Sequence, residues 1–153
     1  HRFGTGTQCH EGMAGCAAAG GYVAGLGEGA TRRERIVSGW QVVTAHEHEI
    51  TLQLIEGLKE FKGLSIRGIA SANAIHRRVP TVSFTVDGLA PDTIAQQLAA
   101  QNIFVWSGHN YALEPIARMG LADKGGVLRV GLAHYNTASE VDTLLANLNT
   151  ILK

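Results

Sequence analysis

The stretch WSGHNYALEP, residues 106–115, places an imidazole, a carboxamide and a phenol in consecutive positions: His109, Asn110 and Tyr111. It reads as a strand giving way to a helix, and such turns often hold the chemistry of α/β proteins. A histidine there can move a proton near neutral pH, or can tie the loop with a hydrogen bond. Neither a cysteine nor a lysine stands in the stretch. Arg129, in GVLRVGLA, lies between Leu128 and Val130 in a second strand pattern. A guanidinium so placed needs an anionic partner: a structural carboxylate, or the carboxylate of a substrate gripped by two parallel hydrogen bonds. In GTGT (4–7) the glycines admit close backbone approach and the threonines offer hydroxyls. That suits a phosphate, or an ordinary turn, and it lacks the Lys-Ser/Thr ending of a nucleotide loop.

Other polar clusters carry less. His46 and His48, in HEHE, are two apart on a helix and face different ways, so they read as surface residues. GLGEG (25–29) follows a helix rather than a strand and reads as a helix stop, not a dinucleotide loop. Cys9 and Cys16, seven apart, share one helical face and read as buried free thiols of a reducing cytoplasm.

The elements that must position these groups follow from periodicity. HEGMAGCAAAGGYVAGLG is a helix of small residues, expected to pack on several sides. TRRERIVSGWQVVTAHEHEITLQLIEGLKEFKG is one long helix, capped by Thr31 with Glu34, with Ile36, Trp40, Val43, Ile50, Leu54 and Leu58 at helical spacing. LSIRGIA, TVSFTV, IFVW and VLRVGLA are strands. A polar loop with Arg77, Arg78 and Pro80 separates the first two strands. PDTIAQQLAAQN, YALEPIARMG and TASEVDTLLANLNTIL are helices, the last capped by Thr137 with Glu140. The order β-β-α-β-α-β-α predicts an α/β fold (an α+β-like small domain): a mixed β-sheet with helices packed on it, preceded by a long interdomain helix.

Composition narrows the partners. The 153 residues balance 13 basic against 13 acidic side chains, which does not point to nucleic acid or an anionic membrane. The uncharged stretch Gly12–Gly27 falls short of the roughly 20 residues of a membrane span. The opening HRFGTGTQ reads as the interior of a longer chain.

Taken in order, RFGTGTQCHEGMAG, RVPTVSFTV, IFVWSGHNYALEP and VLRVGLAHYNTASEVDTLL resemble the C-terminal part of the class V aminotransferases. These are pyridoxal 5'-phosphate enzymes of fold type I, and the likeness is to their cysteine-desulfurase-like branch. The resemblance implies that 1–30 is the tail of the large cofactor-binding domain, 31–63 a long linking helix and 64–153 the small C-terminal domain. It implies that Thr5, Gly6 and Thr7 reach the cofactor phosphate across a homodimer, and that Arg129 holds the substrate carboxylate. His109 matches a histidine of the active-site loop. Tyr111 falls at or beside the position where desulfurases carry the cysteine that takes sulfur as a persulfide. A phenol does not replace a soft thiolate there. None of Lys59, Lys62, Lys124 and Lys153 sits in the context of the family's Schiff-base lysine. The expectation is a cytoplasmic, homodimeric parent enzyme acting on a small amino acid by transamination, racemisation or elimination, with this segment alone inactive. The alternative is a non-catalytic dimerisation or binding module derived from that fold.

Overall fold

In the computed structural model, residues 6–153 are described. The chain forms two compact units whose boundary falls between Ala45 and His46. That boundary lies inside helix α2 (Arg32–Lys59).

The first unit holds α1 (His10–Leu26) and the start of α2. The Sγ of Cys9 accepts a hydrogen bond from the Gly12 N–H at 3.3 Å, capping the first turn of α1. Cys9 therefore precedes the helix instead of lying on its face, and both thiols are exposed, not buried as expected. The expected packing of α1 on several sides is confined to its C-terminal end, where Ala24 is its buried residue. There backbone meets backbone: a Cβ on Gly39 would collide with the Val23 carbonyl, and one on Gly27 with the Arg35 carbonyl. Thr31 and Glu34 form the expected cap. The Thr31 hydroxyl accepts from Glu34 N–H at 3.2 Å, and the Glu34 carboxylate accepts from Thr31 N–H at 3.0 Å. The backbone N–H groups of Thr31 and Ala30, both donating to this carboxylate, hold the Glu34 carboxyl below its ordinary pKa. Trp40, expected in the apolar stripe, is 54% exposed.

The second unit is a four-stranded sheet with helices. Its strands are β1 (Leu64–Arg67), β2 (Thr81–Val86), β3 (Trp106–Gly108) and β4 (Val127–Gly131). Between them run α3 (Pro91–Ala99) and α4 (Leu113–Arg118), and α5 (Ala138–Ile151) follows. The spatial order is β1-β2-β4-β3, and all three pairings are antiparallel. The α3 crossover brings β3 back in the direction of β2, as a mixed sheet would require. β4 then inserts between them, so no parallel neighbours form. IFVW keeps its alternation, with Phe104 out at 81% exposure and Ile103 and Val105 against the core. The ladder itself starts only at Trp106.

Alternation sorts the sheet into two faces. Val82, Phe84, Leu128 and Val130 point to one face and meet Ile50, Leu54, Ile55 and Leu58 of α2, Ile94 and Leu98 of α3, and Val141, Leu144 and Leu148 of α5. Burial of this set is the main source of the unit's stability, at about 25 cal/mol per Å² of apolar surface. Thr137 and Glu140 form the capping box that starts α5. The opposite face is polar except at one end, where Val127 packs with Ile116 and Leu121. His46 is not a free surface residue: its Nε2 lies 2.8 Å from the Asn136 carbonyl oxygen.

Candidate functional site

The loop that leaves β3 is a tight turn. Ala112 N–H donates to the His109 carbonyl at 2.8 Å, and the two central residues, Asn110 and Tyr111, have φ of 51° and 60°. Positive φ at both central positions defines a type I′ turn, which favours Asn followed by Gly. Asn110 fits, and its side-chain amide donates to the Gly108 carbonyl at 3.0 Å. Tyr111 does not: a side chain in the left-handed region costs about 1–2 kcal/mol. The His109 ring holds it there, Nδ1 accepting from the Tyr111 N–H at 3.1 Å. Neutral His109 therefore carries its proton on Nε2. The loop presents an exposed imidazole and a phenol whose residue is 90% exposed. Strain of this kind collects at functional turns.

Register places Arg129 within the polar face. It pairs with Ser83 on one side and Trp106 on the other, and Ser83 pairs with Arg67. One row thus crosses the sheet as Arg67, Ser83, Arg129, Trp106. Arg129 is half-buried, as its position between Leu128 and Val130 predicts. The ion pairs among the described residues are Lys59–Glu56 at 2.7 Å and Arg118–Glu114 at 2.9 Å, and neither involves Arg129. Its side chain makes no hydrogen bond among the described residues either, so the structural carboxylate weighed from sequence is not found there. His109 lies three residues past Trp106, about 10 Å farther along the strand direction.

Arg78 shows the contrast. Its guanidinium donates to the carbonyls of Ile69, Thr81 and Val79, the last two at 2.6 and 3.3 Å. Burial pushes that guanidinium below its ordinary pKa. Arg78 is a structural arginine and Arg129 is not spoken for.

Of the phosphate-loop residues, Thr5 lies outside the described residues. Gly6 and Thr7 are exposed, with no atom within 4 Å of where a Gly6 Cβ would stand. They belong to the first unit, and Arg129, His109 and Tyr111 to the second. Asn110, singled out in the opening stretch, has its Oδ1 buried without a partner. One residue was missed from sequence. Arg67 shares the polar face, a fact its outward parity in LSIRGIA signals only once strand register is known.

A four-stranded antiparallel sheet with α2, α3 and α5 on one face, an open arginine row on the other and a strained loop at one end defines an α/β small domain of the fold type I enzymes. Residues 2–144 match the family Aminotransferase class-V, and the chain belongs to that family and is cysteine-desulfurase-like within it. It is 35% identical over 147 residues to a probable cysteine desulfurase 2 of Mycobacterium leprae, covering 96% of this chain and 31% of that protein. It is 34% identical over 115 residues to an aminotransferase-like protein, FGM3, of Gibberella zeae, covering 74% of this chain and 28% of that protein. The apo cysteine desulfurase of Thermococcus onnurineus NA1 superposes with a TM-score of 0.78 at 27% identity, over 99% of this chain and 33% of that one. The chain spans about a third of the length of these relatives. Among the described residues, no helix is long and apolar enough to cross a membrane.

Proposed function

We propose that this chain is the substrate-binding C-terminal part of a cytoplasmic, homodimeric pyridoxal-phosphate enzyme that acts on a small amino acid without persulfide chemistry. The observation that carries the reading is the Arg129 guanidinium, half-exposed on a polar sheet face and without a protein partner among the described residues. A planar fork of N–H donors left unpaired is matched to a carboxylate. Arg129 binds the α-carboxylate and fixes the orientation of the α-carbon. The 107–111 loop shapes the space around the substrate side chain, and His109 Nε2–H is placed to donate a hydrogen bond from its rim.

Exposed Gly6 and Thr7 fit the role of holding a cofactor phosphate, since an unobstructed glycine admits close approach and the hydroxyl can donate. Pyridoxal phosphate, when bound, supplies an electron sink for bonds at the substrate α-carbon. The lysine that tethers it belongs, on this reading, to the part of a relative-sized protein outside this chain. Lys59 is already paired with Glu56. With Tyr111 and no cysteine in the loop, the loop itself offers no thiol as a sulfur acceptor.

The test adds a panel of amino acids to the full-length protein and follows cofactor absorbance. A saturable change with at least one amino acid, shifted to higher concentration by Arg129→Ala, is expected. An unchanged spectrum with every amino acid overturns the enzyme reading in favour of a binding module.

A further inference from the structure

We propose that the cavity between the β2–α3 turn and the 121–126 turn is a second binding site, for a small zwitterion of the amino-acid class, anchored by Arg67. The cavity measures about 560 Å³, within the range of small-molecule sites. Arg129 does not line it. Arg67 does, its Nη2 donating to the Thr85 hydroxyl at 2.7 Å. This turns Arg67 along β2, away from the Ser83 position that it shares with Arg129.

Two features point to a ligand. Arg67 lines the cavity with only its Nη2 committed, to Thr85, and its Nε is buried with no acceptor, so the guanidinium's hydrogen bonding is incomplete. The cavity wall also carries Lys124, Asp87 and Asp123. Neither ion pair among the described residues involves any of these four charged side chains. Opposite charges share one wall without forming an ion pair.

That pattern selects the ligand. A phosphate dianion would meet two carboxylates, and a simple amine would meet a guanidinium and an ammonium. A molecule with one carboxylate and one ammonium satisfies both sets, its carboxylate completing Arg67. Leu89, half-buried in the same lining, gives an apolar surface for a side chain. The site stands independently of the role proposed for Arg129.

The test uses the full chain carrying Arg129→Ala, so that binding at the first site is suppressed. Calorimetric titration with L-alanine, L-leucine and L-glutamate is compared with isocaproate, isoamylamine and inorganic phosphate. At least one amino acid is expected to bind, and Arg67→Gln should weaken it about tenfold or more. Because Arg67→Gln also disturbs the bond to Thr85, the exposed Lys124→Ala serves as a parallel variant and is expected to weaken it too. Isocaproate and isoamylamine should each bind about tenfold weaker than leucine or not at all. The proposal is overturned if no amino acid binds, if phosphate binds as tightly as the amino acids, or if neither substitution alters the affinity.

Discussion

Arg129 stands directly opposite Trp106 in the β3–β4 pair, so the two side chains leave the same, polar face of the sheet. Trp106 is 55% exposed, and its strand is the edge of the sheet. The arginine is thus flanked by an edge aromatic and by Ser83, with no carboxylate paired to it among the described residues.

Replacing Arg129 separates binding from folding. Arg129→Ala should weaken amino-acid binding by the full-length protein roughly 10- to 100-fold, as expected for charge-assisted hydrogen bonds. Its urea stability should change by less than about 1 kcal/mol, because no partner is stranded. A large stability loss with unchanged binding would reverse the assignment.

Arg78 should behave in the opposite way. Arg78→Ala leaves the carbonyls of Ile69, Val79 and Thr81 without their donor. A loss of about 2–3 kcal/mol is expected in denaturant titrations, with amino-acid affinity held.

Tyr111→Gly tests the strain in the loop. Glycine relieves about 1–2 kcal/mol of left-handed backbone cost and adds about 0.5–1 kcal/mol of chain entropy. Stability should therefore hold or rise by up to about 1.5 kcal/mol, measured by thermal unfolding. A drop comparable to burying a cavity would show that the phenol packs against the fold.

Gly126 and Gly120 both have positive φ, 83° and 66°, but only Gly126 faces backbone, the Gly108 carbonyl. Gly120→Ala should cost about 1 kcal/mol. Gly126→Ala should cost about 3 kcal/mol or more and disturb the turn at His109. Parallel denaturation curves and the amide shifts of residues 107–112 check both.

Acid should weaken the starts of α2 and α5. Backbone hydrogen bonds from Thr31 and Thr137 hold Glu34 and Glu140 below their ordinary value of 4.5. Groups with lowered folded values contribute stability that is fully present above the unfolded value and lost as pH falls through the folded one. The loss should therefore develop below about pH 4.5, and Glu34→Gln with Glu140→Gln should flatten it. An identical acid limb in the double variant would refute the linkage.

Local features were legible and long-range ones were not. The capping boxes, the strand TVSFTV and the helix from Pro91 depend on neighbours within a turn, and each appears where residue spacing places it. The insertion of β4 between β2 and β3 is a non-local pairing with no local signal, which is why a mixed sheet was expected. The Asn136 partner of His46 is ninety positions away, hidden from any helical wheel. Cys9 looked helical because spacing alone does not distinguish a capping thiol from one on the helix face. At the site, the types of His109, Tyr111 and Arg129 were readable. The type I′ turn was masked by a tyrosine where glycine is usual, and the row joining Arg67 to Arg129 required the register.

The placement of β4 also governs the order of assembly. On a growing polypeptide, β1 and β2 can zip together as soon as they emerge, but β3 meets no neighbour until residues 127–131 have been made. The turn bearing His109 and Tyr111 is then the last part of the sheet to be secured. A ribosome stalled before Val127 would leave an unpaired strand with Phe104 and Trp106 bared, a template for aggregation rather than an unfinished enzyme.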